Sequence, residues 1–472
     1  MKPPLCARSA RRPHFGVLPR MGFGLLAAVG LHWSAVADTF VVTNTSGSAS
    51  VPNSLPWAVQ QANYFSGGFD RIAFNLSGAS SSSPVTIDLD DTLYINEQLD
   101  IDATTQPGYD SDPPDGGHGY PAVILNAQGL DSAVYFQFGD QSTLAGFGII
   151  EYGSNAVTVG PDSSANWIRD NFLGAVTEDQ GASYLLNQDY YSGTRGVGIG
   201  SSYNVLLRNV ISGNDNAVTI GDDITSTNST DILYRTNSLQ YNYIGTDSTA
   251  TRVLGNSSDG VFLGAGAGEN WIGPGNVVSG NDSAGVELLH RSNIGNVIFS
   301  NHIGVDREGT AVLPNGEVGV LVSNLAFFNA IGGPAGGNII SGNGFGGVVV
   351  GLNAPSPGTS GYTNVTYVQN NIIGADVTAS VPLGVQDVGV SIEGGSNNVV
   401  VEGNVLGGNV THGAQCYNSS WSSISNNWIG QSYTGSALPN YNGFGIFLSG
   451  CANIWTTGNA FGVNGLGAIG QQ

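Results

Sequence analysis

One short pattern returns along the chain and limits what it can fold into: Asn, two or three mostly apolar residues, then Gly. It reads NFLG at Asn171, NVISG at Asn209, NYIG at Asn242, NVVSG at Asn276 and NHIG at Asn301. It continues as NIISG at Asn338, NIIG at Asn371, NVLG at Asn404, NWIG at Asn427 and NAFG at Asn459. Subtracting neighbouring positions gives steps of 23 to 38 residues. A period of this size is the mark of stacked structural repeats.

A second piece precedes most of these Asn residues. It reads AVTV at Ala156, GVGI at Gly196, AVTI at Ala217, GVFL at Gly260 and GVEL at Gly285. GVLV at Gly319, GVVV at Gly347, GVSI at Gly389, GAQC at Gly413 and GIFL at Gly445 follow. Apolar and β-branched residues alternate with period two, which is a strand signal, and the flanking Gly, Asn and Ser are turn signals. Short strands joined by tight turns and repeated at this length make one coil of a parallel β-helix. The Asn then has a structural role, because its amide can hydrogen-bond the coils above and below and build a ladder along the stack. The ladder alternates. Odd members run into longer turns, such as IGTDSTATRVLGN from Ile244; even members close quickly at Asn214, Asn281, Asn343 and Asn409.

Taken together, these motifs resemble the secreted bacterial right-handed parallel β-helix proteins of the pectin-lyase-like superfamily, over nearly all of the chain after residue 37. The resemblance implies an all-β solenoid with a short N-terminal capping helix. Family members carry a helix similar to Ser54–Asn63, followed by a strand like Asp70–Phe74; here Pro56 stands where they have Arg. On its own residues, Ser54 suits an N-cap, and Leu55, Ala58, Val59 and Ala62 share one face. Such a helix closes the open end of a stack. The superfamily holds lyases, glycosidases, epimerases, tailspikes and adhesins, so the resemblance is far less specific for function than for fold.

The domain reading is a targeting segment over 1–37, an N-terminal strand and capping helix over 38–69, and the β-helix over 70–472. Lys2, Arg8, Arg11, Arg12 and Arg20 form a basic region, Gly22–Leu31 a short apolar core, and Ala35-Val36-Ala37 a cleavage site. The apolar run is too short to span a bilayer. A secreted or periplasmic location is therefore expected, with association to a cell surface open.

The chain carries 13 Lys plus Arg and 35 Asp plus Glu; five of the basic residues lie in the targeting segment, leaving 8 − 35 = −27 beyond it. Nucleic acid and anionic membrane both need a basic footprint and are excluded as partners. A polysaccharide or cell-surface glycan remains, and an acidic one would need a bridging cation. No cofactor is demanded by the pattern; Ca2+ is the one ion the chemistry would use.

Candidate chemistry comes from stacking. Ile220, Leu263, Leu288 and Val322 hold equivalent strand positions. Two residues on stand Asp222, Ala265, His290 and Asn324; three on stand Asp223, Gly266, Arg291 and Leu325. Two coil steps of ~4.8 Å put the acids ~9.6 Å from His290 and Arg291 across a gap of small residues. Glu287 points outward beside them. The candidate catalytic set is Asp222, Asp223, Glu287, His290 and Arg291. Carboxylates ~6.5–9.5 Å apart suit inverting glycoside hydrolysis; a His or Arg base beside a cation-binding carboxylate suits uronate elimination. The same residues also read as surface turn residues and ion pairs, in which case the protein is a non-enzymatic surface or matrix solenoid of adhesin type.

Two other patterns are set aside. His118 lies in a Pro/Gly loop placed far from Asp222 along the stack. Asp247, Asp306 and Asp376 recur on alternate coils, ~9.6 Å apart, too far to share one ion and better read as Asx-turns. Finally, aligning GAQC with GIFL sets Cys416 opposite Leu448 and Cys451 opposite Ser419. A three-residue offset of ~10 Å exceeds the ~7 Å limit for a disulfide unless the turn folds back, so the reading leans to unbonded Cys416 and Cys451 and leaves the bond undecided.

Overall fold

The computed structural model describes residues 37–64, 68–113, 116–177, 184–186, 193–221, 231–323, 325–351 and 365–472. Residues 1–36, nearly all of the expected targeting segment, and the pair Asp222 and Asp223 lie outside the described residues. Within them the chain is a right-handed parallel β-helix. Three sheets of 13 strands each run the length of the stack, and each coil contributes one strand to each sheet. Sheet 1 runs from Thr39–Val42 to Ser423–Ser425, sheet 2 from Leu93–Ile95 to Gly467–Gln471, and sheet 3 from Val85–Asp88 to Ala460–Phe461.

The strands form where the alternation predicts. In sheet 2, Val218 and Ile220 pair in parallel with Val261 and Leu263, then Val286 and Leu288, then Val320 and Val322. These side chains point inward and are fully buried. Rows such as Leu206, Leu239, Ile272 and Ile298 from sheet 1, and Ile211, Ile244, Val278 and Ile303 from sheet 3, complete the core. Burying each aliphatic side chain is worth about 1.5–3 kcal/mol, and the stacking lets the core grow along one axis without widening.

The Gly that opens most sheet 2 strands has a steric cause. A Cβ on Gly260, Gly285, Gly319 or Gly347 would lie 2.7 Å from the carbonyl oxygen of the corresponding Gly one coil on. It would also meet the buried Val or Ile side chain inside, at 2.4–2.9 Å. At these four positions a Cβ would force its neighbours to shift, whereas Ala156 and Ala217 hold the equivalent place on earlier coils.

The ten Asn residues form one ladder. Each Asn Nδ2 donates to the Oδ1 of the next, from Asn171 to Asn209 at 3.1 Å through to Asn427 to Asn459 at 3.1 Å. The backbone N–H of each Asn donates to the same oxygen. Two further ladders accompany it. One joins Asn166, Asn204, Asn237, Asn270, Asn296 and Asn329. The other joins Asn214, Asn256, Asn281, Asn315 and Asn343, and resumes as Gln386, Asn409, Asn440 and Asn464.

The helix spans Leu55–Tyr64 with Ser54 as N-cap, its Oγ accepting the Trp57 N–H at 3.2 Å. Leu55, Ala58, Val59 and Ala62 are buried in the first coils of the core. Thr39–Val42 already pairs in parallel with Asp70–Phe74, so the helix is inserted between two strands of the stack.

Cys416 and Cys451 are bonded, with Cα atoms 6.4 Å apart. The alignment itself holds, since Cys416 pairs with Leu448. The reading as unbonded fails because the chain after Leu448 does not continue straight: Gly450 takes φ +64° and folds Cys451 back over the strand.

Candidate functional site

Sheet 2 places Glu287 at the middle of its outer face, between Phe262 and Leu321 on the adjacent strands. Asp259 stands at the corner just before the strand Val261–Leu263. Its Oδ1 accepts the Ala284 N–H at 2.9 Å, and its own N–H donates to Asn216 Oδ1 at 3.1 Å. These two bonds hold a buried carboxylate against Glu287, and the two carboxyls are hydrogen-bonded to each other. Ser323 Oγ donates to Glu287 Oε1 at 3.4 Å. Glu317 lies close enough to add a third negative charge to the field of both.

Burial first, then the charge of Asp259 and the bond to it, push the Glu287 carboxyl up to about 8. Burial raises Asp259 as well, opposed by hydrogen bonds from Ala284, Glu287 and Ser283. Two carboxyls this close cannot both ionise. The pair therefore favours sharing one proton, and the Glu287 carboxyl is the one raised to about 8. A carboxylic acid kept protonated near neutrality is what general-acid chemistry requires. Asp259 escaped the sequence reading. Its signal is the acid directly before the strand Gly in DGVFL, where the equivalent residues of the repeat are apolar, Gly, Asn, Arg or His.

His290 follows the same strand and is 2% exposed. Its Nδ1 accepts the Ser292 N–H at 3.2 Å and lies 2.7 Å from Ser292 Oγ. In the neutral ring this leaves the proton on Nε2. Arg291 is half-buried beside it. The gap expected over Ala265 and Gly266 is closed. Ser292 Oγ accepts the Gly266 N–H at 2.6 Å, and the Tyr234 ring lies 3.0 Å from where a Cβ on Gly266 would sit. Asn293 Nδ2 clamps the same turn through the Leu263 and Gly264 carbonyls at 3.1 and 3.0 Å. Among the described residues Glu287 thus stands on the strand, His290 in the turn after it and Asp259 against Glu287, and the turn over Ala265–Gly266 is closed.

The patterns set aside fare differently. Asp247, Asp306 and Asp376 each close their own turn: Oδ1 accepts the N–H groups four and five residues on, at 2.8–3.2 Å. These turns are wider than Asx-turns. Burial pulls the Asp376 carboxyl up, but its bonds from Thr378, Val381 and Ser380 outweigh this and hold it below the usual range. Among the described residues no three His, Cys, Asp or Glu side chains converge to hold a metal ion. His118 is not distant from the coil that begins at Asn216. The loop carries it along the outside of sheet 3 until its ring stacks on Tyr243 at 3.9 Å, with Nε2 donating to the Tyr241 carbonyl at 2.8 Å. There it lines a recess of about 630 Å³ with Arg208, Tyr241 and Asp112.

No protein-family model matches the chain, and no curated protein matches it. Solved structures do. A surface adhesin of Streptococcus pneumoniae aligns over 92% of this chain and 93% of its own, at 11% identity and a TM-score of 0.49. The A-module of a mannuronan C-5 epimerase of Azotobacter vinelandii aligns over 90% and 97%, at 14% identity and a TM-score of 0.43. The Dettilon tailspike protein aligns over 86% of this chain at 13% identity and a TM-score of 0.47, and this chain spans 64% of it, less than two thirds of its length. At these identities the likeness concerns fold alone. Among the described residues no helix is long and apolar enough to cross a membrane.

Proposed function

We propose that this right-handed parallel β-helix is an exported protein that binds or processes polysaccharide in an outer groove at the half-buried Glu287 of sheet 2, with Glu287 as the proton donor of the site. The observation that carries the reading is the Asp259–Glu287 pair, which keeps one carboxyl protonated up to about pH 8. In a hydrolase, Glu287 would protonate the leaving oxygen of the glycosidic bond; in a lyase, the same proton would pass to the departing sugar. Asp222 and Asp223, expected two coil steps away, with His290 and Arg291, are the further candidates for base or charge partner. Ca2+ enters only with an acidic substrate, whose charge the acidic chain would otherwise repel.

A non-enzymatic, adhesin-like solenoid is the second reading. It is favoured by the closed turn over Ala265–Gly266 and by the burial of His290.

The test is incubation of the protein with neutral and acidic polysaccharides, with and without Ca2+. New reducing ends alone indicate hydrolysis; reducing ends with ultraviolet-absorbing uronides indicate elimination. Glu287→Gln should lower the rate about 10²–10⁴-fold if Glu287 is the acid. Silence across the panel supports the solenoid reading, and full activity of Glu287→Gln moves the site elsewhere.

A further inference from the structure

Sheet 1 carries one outward row that can be followed strand by strand. Trp167 pairs with Val205, Val205 with Ser238, and Ser238 with Trp271. Trp271 pairs with Val297, Val297 with Ala330, and Ala330 with Tyr367. Tyr367 pairs with Val400, Val400 with Ser423, and Ser423 with Trp455. An aromatic residue therefore stands on every third coil, with two small or β-branched residues between. Trp167, Trp271, Tyr367 and Trp455 are 45, 45, 36 and 51% exposed. The equivalent outward row of sheet 2 is the opposite case: Phe262, Leu321, Val349 and Ser391 are buried.

The corner that precedes sheet 1 adds to the row. Tyr203, Phe328 and Trp421 sit there with positive φ, exposed, two residues ahead of the row in their own coils. Trp421 approaches Trp455 to 6.2 Å between ring centroids.

We infer that this face of sheet 1 is a binding surface for an extended, uncharged polysaccharide lying along the axis of the stack. Three properties of the row fit that ligand. The coil step of ~4.8 Å is close to the length of one pyranose residue in an extended chain, so the aromatics would meet every third sugar, ~14 Å apart. An aromatic ring offers a negative face to the C–H face of a pyranose, and the small residues between leave the chain room to lie flat. No residue of the row from Trp167 to Trp455 is charged, on a chain of formal charge −22. A polyanion is repelled by such a molecule, and an uncharged polymer is not. Beside the row, the Gln240 and Gln369 amides donate to Ser238 Oγ and the Glu402 carboxylate, and their carbonyl oxygens are acceptors a sugar hydroxyl can use. A protein partner would instead favour aromatics clustered at the centre of one patch; these are spread evenly over nine coil steps, ~43 Å.

The surface shares its ligand class with the proposed function but lies on another sheet, so the two readings fail separately. The test is affinity electrophoresis and pull-down of the full chain with neutral β-linked glucans, mannan and xylan, against alginate and pectate. The parent should be retarded by at least one neutral polymer and by neither polyanion. Trp271→Ala should weaken retardation about three- to tenfold, the range of one aromatic contact, while Trp271→Tyr keeps most of it. Replacing all four aromatics with Ala should lower retardation by the neutral polymer more than tenfold with the melting temperature preserved. The inference is overturned if no neutral polymer binds, or if the fourfold variant binds unchanged. It is also overturned if sedimentation shows that the row holds two copies of the chain together and the fourfold variant releases them.

Discussion

Asn301 shows what one side chain contributes. Its Oδ1 accepts both the backbone N–H and the Nδ2 of Asn276, at 3.3 and 2.9 Å, while its Nδ2 donates to Asn338 Oδ1 at 3.1 Å and the Ile272 carbonyl at 2.8 Å. Asn301→Leu would leave the Asn276 N–H buried without its acceptor, and should cost about 1–3 kcal/mol; an unchanged melting temperature would show that the ladder is decorative. Glu287 gives a prediction in pH. Its folded carboxyl is raised from 4.5 to about 8, so its contribution to stability is complete below pH 4.5 and is lost as pH rises towards 8. Glu287→Gln should flatten that part of the melting curve against pH, and a parent curve without slope between pH 5 and 8 contradicts the shared proton. At this scale the first ladder was legible because Asn recurs with a trailing Gly. The second was not, although Asn166, Asn204, Asn237, Asn270, Asn296 and Asn329 each precede a residue and then Ile or Leu. Without the Gly, nothing in the pattern separates a buried amide from a turn residue.

The elements most open to test are the long loop after sheet 1's third strand and the disulfide near the last coils. The loop docks through His118, whose ring burial holds well below the usual range, from 6.5 to about 4, with Arg208 pushing the same way. A depressed His contributes stability that is present above pH 6.5 and lost as pH falls towards 4. His118→Phe keeps the stacking on Tyr243 but cannot titrate; it should remove the acid-side fall in melting temperature, and a slope equal to the parent's would place the acid-sensitive group elsewhere. The loop's path was not legible, because Pro and Gly announce an irregular segment without saying where it goes. The disulfide closes a separation of 35 residues, for which chain entropy gives about 4 kcal/mol at 25 °C. Cys416→Ser with Cys451→Ser should speed amide exchange chiefly beyond residue 414, since each coil touches only its neighbours; uniform acceleration along the whole stack would contradict that locality. Here the strand alignment was right and the turn was not, because a single glycine φ reverses the chain and no sequence spacing records it.

For the whole molecule, the period of the Asn residues together with the strand-like runs was enough to foresee a parallel β-helix with two or three strands per coil, and the structure has three sheets. The site was less legible: strand alternation showed that Glu287 points outward, but not the rotation of the turns that closes the gap over Ala265–Gly266 or turns Asp259 towards Glu287. The same stacking carries an arrow. In all three ladders every inter-Asn bond runs one way, from the Nδ2 of one coil to the Oδ1 of a coil later in the chain. At the start of two of them, the oxygens of Asn171 and Asn166 take backbone donors from Phe147 and Ser142. At the far end Asn459 and Asn464 have no later amide to meet and turn their nitrogens back to the Ile424 and Ile429 carbonyls. The amide dipoles therefore add along the axis, with the positive pole at the carboxyl-terminal coil, and each finished coil presents one amide donor on the side where the next will be laid. A chain that emerges amino end first meets those donors in the order in which they become available, so the direction of winding and the direction of synthesis coincide.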